Sequence, residues 1–226
     1  MSVAYTRRAI QALASQTMRV TLGLKARTGR AILVAIGVSP QMHVLQRAEL
    51  KLLPEGDFAP YHAAEGLPSA AAQERVARSS ASAHRLAEEG IRDAVQALAS
   101  SGHDICGCGV LVGMGMPPWS TDEILAVHVR MHQAEGELFR EVLVAGARAC
   151  GLTPTTLREK TAFEEAASML GLSRTDLEAQ LVALGKAMGA PWGKDQKEAA
   201  AAALVALSAK TGPRDDAAKA RYSGIR

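Results

Sequence analysis

Three strand-like patterns of apolar and polar positions lie between Thr21 and Leu53. Thr21 to Lys25 has the pattern of a short strand and ARTG follows as a turn. Arg30 to Val38 (RAILVAIGV) is a strongly β-branched second strand. Met42 to Leu53 sets His43, Leu45, Arg47, Glu49 and Lys51 opposite Val44 and Leu50, an imperfect alternation that predicts an exposed third strand. Together the three predict an antiparallel meander. PEGDFAPYHAAEGLP, closed by Pro60 and Pro68, is a loop.

The period then changes. Val76, Leu86, Ile91, Val95 and Leu98 fall near helical spacing and predict one long helix over Ser69 to Ser101. Ile105 to Met114 (ICGCGVLVGM) is an apolar strand broken by glycines, the pattern of a buried strand whose backbone something approaches closely. Ser120 and Glu123 form a capping box and predict a helix from there to about Ala149. Thr153 to Arg158 is a brief strand, followed by helices over about Ala162 to Leu170 and Ser173 to Met188. PWGKDQKEAAAAALVAL, from Pro191 to Leu207, ends the pattern with an almost pure alanine helix. The order β-β-β-α-β-α-β-α-α-α predicts an α/β mixed sheet covered by helices.

Length and composition narrow this only a little. The 226 residues suffice for one well-buried domain, here residues 19–209, and the residue classes are those of a globular protein. Residues 1–18 lack the apolar core of a secretory signal and are expected to be a loose extension; residues 210–226, ending KARYSGIR, are expected to be a basic tail. Aromatics at 4% leave little material for stacking on bases, which weighs against reading single strands by sequence. The net charge of +3 permits nucleic-acid contact without demanding it. The spacing Cys106-Gly-Cys108 fits neither a disulfide framework, a zinc knuckle nor a CxxC pair. No apolar run approaches the ~18 residues of a membrane span. The cytoplasm is the expected compartment, with no membrane partner.

Candidate chemistry lies in a few places. Asp195 and Glu198, three apart at a helix start, share one face and are candidate catalytic carboxylates; complementing the helix dipole is their plain alternative. Lys25, Arg27 and Arg30 surround the turn glycine Gly29, where a lysine and turn amides can cradle a phosphate. An ordinary basic hairpin, or an ion pair from Lys25 to Asp195 or Glu198, would explain the same residues. His128 and His132, four apart with Glu135 three further on, share a face as metal ligands would, without the glutamate of a zincin motif. Surface or packing histidines are the alternative. Tyr61 and His62 either line a cleft or anchor their loop, with Tyr61 on the sheet. Trp119 and Trp192, each in a proline turn before a helix, either flank one pocket or staple two helix starts. Gly113-Met114-Gly115-Met116 matches no dinucleotide or P-loop fingerprint.

The element order and three local strings resemble the ribonuclease H-like fold, within it the Holliday-junction resolvases. LGLKARTGRAILVA, Leu22 to Ala35, is similar to the family's first hairpin through Gly23, Gly29 and the apolar second strand. GELFREVLVAGARACGLTPTTLREK, Gly136 to Lys160, resembles a helix-strand segment that ends in a lysine. Asp195-x-x-Glu198-Ala stands where the family carries the acids of its final helix. The resemblance implies a mixed five-stranded sheet (antiparallel meander, then βα units) flanked by helices. It also implies nucleic acid as partner, a homodimer as assembly, and carboxylates holding two divalent cations for in-line phosphodiester hydrolysis.

Two of those acids are missing: Lys25 stands at the first position, and Val110, Leu111, Val112 and Gly113 at the second. Only Asp195 and Glu198 remain, enough to hold one hydrated Mg²⁺ weakly. The expectation is a resolvase-like protein without the full two-metal site that binds nucleic acid or another phosphate-bearing ligand. Its alternatives are a Mg²⁺-dependent nuclease or nucleotide hydrolase using Lys25, Asp195 and Glu198, and a non-enzymatic interaction domain.

Overall fold

Strands β1 (Arg19–Arg27) and β2 (Arg30–Val38) pair antiparallel, and Gly29 turns between them at φ 70°, a left-handed conformation that glycine adopts without strain. The computed structural model describes residues 17–211 except 40 and 58, so the expected terminal extensions lie largely outside it. β3 (Met42–Lys51) continues the meander along β2. β4 (Asp104–Val112) and β5 (Pro154–Arg158) then add in parallel on the other side of β1. The strand order is β3-β2-β1-β4-β5, with β1 at the centre. This is the mixed five-stranded α/β sheet expected from the sequence, an antiparallel meander followed by βα units, with helices on both faces.

Among the described residues, six α-helices cover the sheet: α1 (Ser69–Ser100), α2 (Thr121–Leu125), α3 (His128–Ala149), α4 (Ala162–Leu170), α5 (Arg174–Met188) and α6 (Lys194–Thr211). Side chains alternate across a strand, so β1 sends Val20, Leu22 and Leu24 into one core with α1 and α3. The opposite core joins Ile32, Val34, Ile36, Leu111 and Leu157 to α4, α5 and α6. Thr21, Gly23 and Lys25 are the β1 residues turned toward α6. That alternation puts a lysine inside the protein.

α6 explains the glycines. Ala199 to Ala203 are all fully buried, and the helix lies directly on the backbones of β1 and β4. A methyl group built on Gly23 would stand 1.8 Å from the Ala199 carbonyl oxygen, and one on Gly109 2.1 Å from that of Ala202. Thr21 Oγ1 donates to the Ala203 carbonyl at 2.7 Å and fixes the helix along the strand. Alanine on one side and glycine on the other let two backbones meet.

Most sequence boundaries agree with these elements within a few residues, but the helix expected from Ser120 to Ala149 is interrupted. The capping box is present: Glu123 N donates to Ser120 Oγ at 3.2 Å, and Ser120 N to Glu123 Oε2 at 2.7 Å. α2 nevertheless stops at Leu125, and Val127 takes extended angles before α3 starts at His128. Arg130 closes the break by donating to the Glu123 carbonyl at 2.9 Å. Ile124 and Met131 bury into one cluster across it, so the apolar pattern runs on without a sign of the interruption.

Candidate functional site

Ligand sites in open α/β sheets lie beyond the carboxyl ends of the parallel strands. Here β1 delivers Lys25 to that edge, β5 is followed at once by Glu159, and the first turns of α6 bring Asp195 and Glu198. Lys25 and Glu198 are each only 2% exposed. The Lys25 ammonium donates to Glu198 Oε2 and to Glu159 Oε1, the latter at 2.9 Å, and lies 3.6 Å from Asp195 Oδ1. Three carboxylates therefore converge on one buried cation.

Each of those carboxylates has a second cation. Arg27 grips Asp195 with two hydrogen bonds of 2.8 and 2.9 Å, the planar fork matching the carboxylate. Arg140, from α3, holds Glu159 at 2.6 and 3.1 Å and reaches Glu137 at 3.4 Å. Lys194 stands 3.6 Å from Glu198 Oε1. Lys25, Arg27, Arg140 and Lys194 thus balance Glu137, Glu159, Asp195 and Glu198 in one continuous network.

The cluster sets its own protonation. Burial opposes the charge on Lys25, but the hydrogen bonds to Glu198 and Glu159 outweigh it and raise its pKa above the ordinary 10.5. Burial alone would push Glu159 up, yet hydrogen bonds from Lys25 and Arg140 hold it below 4.5. The Arg27 pKa is raised mainly by its hydrogen bonds to Asp195. Lys25, Arg27 and Glu159 are thus each shifted toward their charged forms.

The sequence-derived candidates fall out as follows. Lys25, Asp195 and Glu198 come together. The hairpin proposed for phosphate has its cations engaged: Lys25 as described, Arg27 with Asp195, and Arg30 with Glu49 at 3.1 Å. Gly29 spends its carbonyl on the backbone N–H of Leu52 at 2.8 Å. His128 and His132 sit one turn apart on α3, with their Nε2 atoms 3.1 Å apart. Tyr61 packs beside Val76, Leu125 and Ile124 of the helical layer and not on the sheet. Trp119 and Trp192 belong to separate clusters: Trp119 lies under the Arg130 guanidinium, and Trp192 covers Gly185 and donates to the Leu181 carbonyl. Neither lines the cleft beside the Lys25 cluster.

Two carboxylates escaped the sequence reading. A side chain on Gly113, just past β4, would meet Glu137 Oε1 at 1.9 Å. Glu137 therefore reaches from α3 into the space beside the end of β4, where the resemblance expects an acid and the strand supplies none. Glu159 precedes Lys160, the lysine that ends the recognised helix-strand segment, and was passed over for its neighbour. Four acids are present after all. They do not fit a two-cation cage, because the Lys25 ammonium occupies the space among Glu159, Asp195 and Glu198, and a guanidinium or ammonium holds each of the four from outside.

Beside the cluster opens a cleft of about 1090 Å³ whose walls include Gly113, His132, Glu137, Lys160, Arg174 and Glu198. Arg158 and Lys194 also face it. Lys160 is exposed and makes no ion pair among the described residues. Among the described residues no helix is long and apolar enough to cross a membrane.

Neither a family model nor a curated protein matches the sequence. Among solved structures, the chain is similar to T. thermophilus RuvC in complex with a Holliday junction substrate: 12% identity, 86% of this chain and 96% of that chain covered, TM-score 0.46. It is also similar to Thermus thermophilus RuvC, at 12% identity with 86% and 97% covered and a TM-score of 0.48.

Proposed function

We propose that this chain is a nucleic-acid-binding protein of ribonuclease H-like fold in which an internal ammonium stands in place of catalytic metal ions. The observation that carries this reading is the Lys25 ammonium among Glu159, Asp195 and Glu198. A divalent cation would have to displace Lys25 before it could reach Glu198, and would then leave a second positive charge in the same buried space. Asp195 and Glu198, the candidate catalytic pair, serve on this reading to hold Lys25 and Arg27 and not to activate water.

The cleft supplies the binding surface. Lys160 offers a free ammonium, and Arg158 and Arg174 add guanidinium groups whose present carboxylate partners are on the surface. Exposed pairs of this kind exchange readily for a phosphate, because in water they are worth only about 0–1 kcal/mol. The phosphate contacts of the reading are accordingly Lys160, Arg158 and Arg174.

Anisotropy titration of labelled duplex and four-way DNA at a series of salt concentrations tests it. Affinity should fall linearly on a log-log plot against salt, and Lys160→Ala with Arg174→Ala should reduce the slope by about one to two. No strand cleavage is expected with Mg²⁺ or Mn²⁺. Cleavage that needs either ion and disappears in Glu198→Ala overturns the reading, as does the absence of DNA binding at about 50 mM salt.

A further inference from the structure

Three of the six histidines converge away from the ion-pair cluster, although they come from two distant segments. His128 and His132 project from the first two turns of α3, and His62 opens the short 3₁₀ turn His62–Ala64 between β3 and α1. One ligand nitrogen from each lies within 4.8 Å of those of the other two. The rings close a triangle, with centroids 4.6 Å apart for His62 and His132, 4.7 Å for His128 and His132, and 5.1 Å for His62 and His128. We infer that His62, His128 and His132 form a binding site for one divalent transition-metal ion, with Glu135 as the residue that orients His62.

The geometry of the two helical ligands is already close to that required. Their Nε2 atoms are 3.1 Å apart. Tetrahedral coordination with metal–nitrogen bonds of 2.0–2.1 Å sets ligand atoms about 3.3 Å apart. Glu135 is 4% exposed, and its Oε1 lies 2.9 Å from His62 Nδ1 and accepts the His62 backbone N–H at 3.2 Å. A carboxylate only accepts, so Nδ1 carries the proton and Nε2 keeps its lone pair for a cation. This is the outer carboxylate that ligating histidines characteristically have. A turn held only by packing would not need a buried acid on the far nitrogen of the one histidine that completes the triangle.

The donor set selects the ion. Three imidazole nitrogens as ligands suit Zn²⁺, Co²⁺, Ni²⁺ or Cu²⁺ and not Mg²⁺, which takes oxygen ligands. His128 and His132 are exposed, so a fourth position stays open to water or to a ligand. His132 also belongs to the cleft wall, so a bound ion adds positive charge beside the proposed phosphate path. The site does not depend on that path, and its test uses no nucleic acid.

The untagged full-length chain, stripped with chelator, is titrated with Zn²⁺ by calorimetry and with Co²⁺ by visible absorption. The expected result is one ion per chain at about micromolar affinity or tighter, with the intense bands of low-coordinate Co²⁺. His62→Ala and His132→Ala should each weaken binding at least about tenfold, and Glu135→Gln by about 10–100-fold. His84→Ala, on α1 and outside the triangle, should change nothing. Thermal melts of each variant without metal show whether it is folded, and His128→Ala serves as a solvent-facing substitute should His62→Ala fail to fold. No stoichiometric binding overturns the inference. So does binding lost with His132→Ala but kept in folded His62→Ala, which would reduce the site to an adventitious surface pair.

Discussion

Replacing Lys25 with methionine removes the cation from the middle of the network while keeping its length and apolar stem. The consequences for the three carboxylates differ. Glu159 retains Arg140 at 2.6 Å and Asp195 retains Arg27 at 2.8 Å, so both stay compensated. Glu198 retains only Lys194, at 3.6 Å and with a side chain 78% exposed, while its own side chain is 3% exposed. One buried carboxylate is thus left nearly alone, a situation that costs about 3–5 kcal/mol. For a chain of this size that corresponds to a melting point lower by about 6–20 °C. Lys25→Met combined with Glu198→Leu removes both charges and should return stability to within about 1 kcal/mol of the parent, since well-packed apolar substitutes for buried ion pairs are often neutral or better. Urea unfolding of the parent, both single variants and the double variant closes the cycle. A coupling of at least about 2 kcal/mol is expected. Additive single effects, or a Lys25→Met variant within about 0.5 kcal/mol of the parent, would refute the account of the cluster.

Other outcomes follow from the same contacts. Lys25→Asp turns the centre of the network acidic, so the variant should be destabilised in chelator and gain melting temperature with millimolar Mg²⁺ or Mn²⁺, whereas the parent should not respond at this site; equal responses in both would count against it. Glu159 is held below 4.5 in the folded state, so its contribution is present above that pH and lost as pH falls through the folded value; in Glu159→Gln the melting point should decline less steeply in acid. Lys25 has the opposite sign: its raised pKa makes its contribution complete below pH 10.5 and lost above the folded value, so alkaline melts of the parent should fall more steeply than those of Lys25→Met. Gly23→Ala forces a methyl group to within 1.8 Å of a helix carbonyl and should leave little folded protein by circular dichroism, beyond the usual 1–3 kcal/mol of about one extra methyl in a core.

Much of the frame was legible because it follows local rules. β2 runs Arg30–Val38 as its β-branched residues require, and the glycines of β4 signalled a close approach, which α6 makes at Gly109. The juxtaposition of Lys25 with Asp195 and Glu198 was also readable, since a central first strand and a final helix across its end bring them together. What stayed hidden depends on tertiary distance. Glu159 and Glu137 reach the cluster only because parallel crossovers carry β5 and α3 to the same edge, and neither has a spacing that relates it to Lys25. His62 lies on a short turn whose proximity to His128 no periodicity encodes. The break at Val127 contains neither glycine nor proline, so the capping box and the apolar pattern both pointed to a longer helix.

The embrace between α6 and the sheet has a consequence for how the molecule is made. Thr21 and Ala203 are bonded across a sequence separation of 182 residues, and Lys25 and Glu198 across 173. As the chain emerges during synthesis, the meander forms first, and one side of its first strand, which carries Gly23 and Lys25, has nothing to lie against. That side stays wet, with the lysine facing water, until the alanine segment has been synthesised. The domain therefore closes late and as a unit, which predicts slow folding set by long-range contacts and a nascent chain that depends on its final helix to shield the sheet.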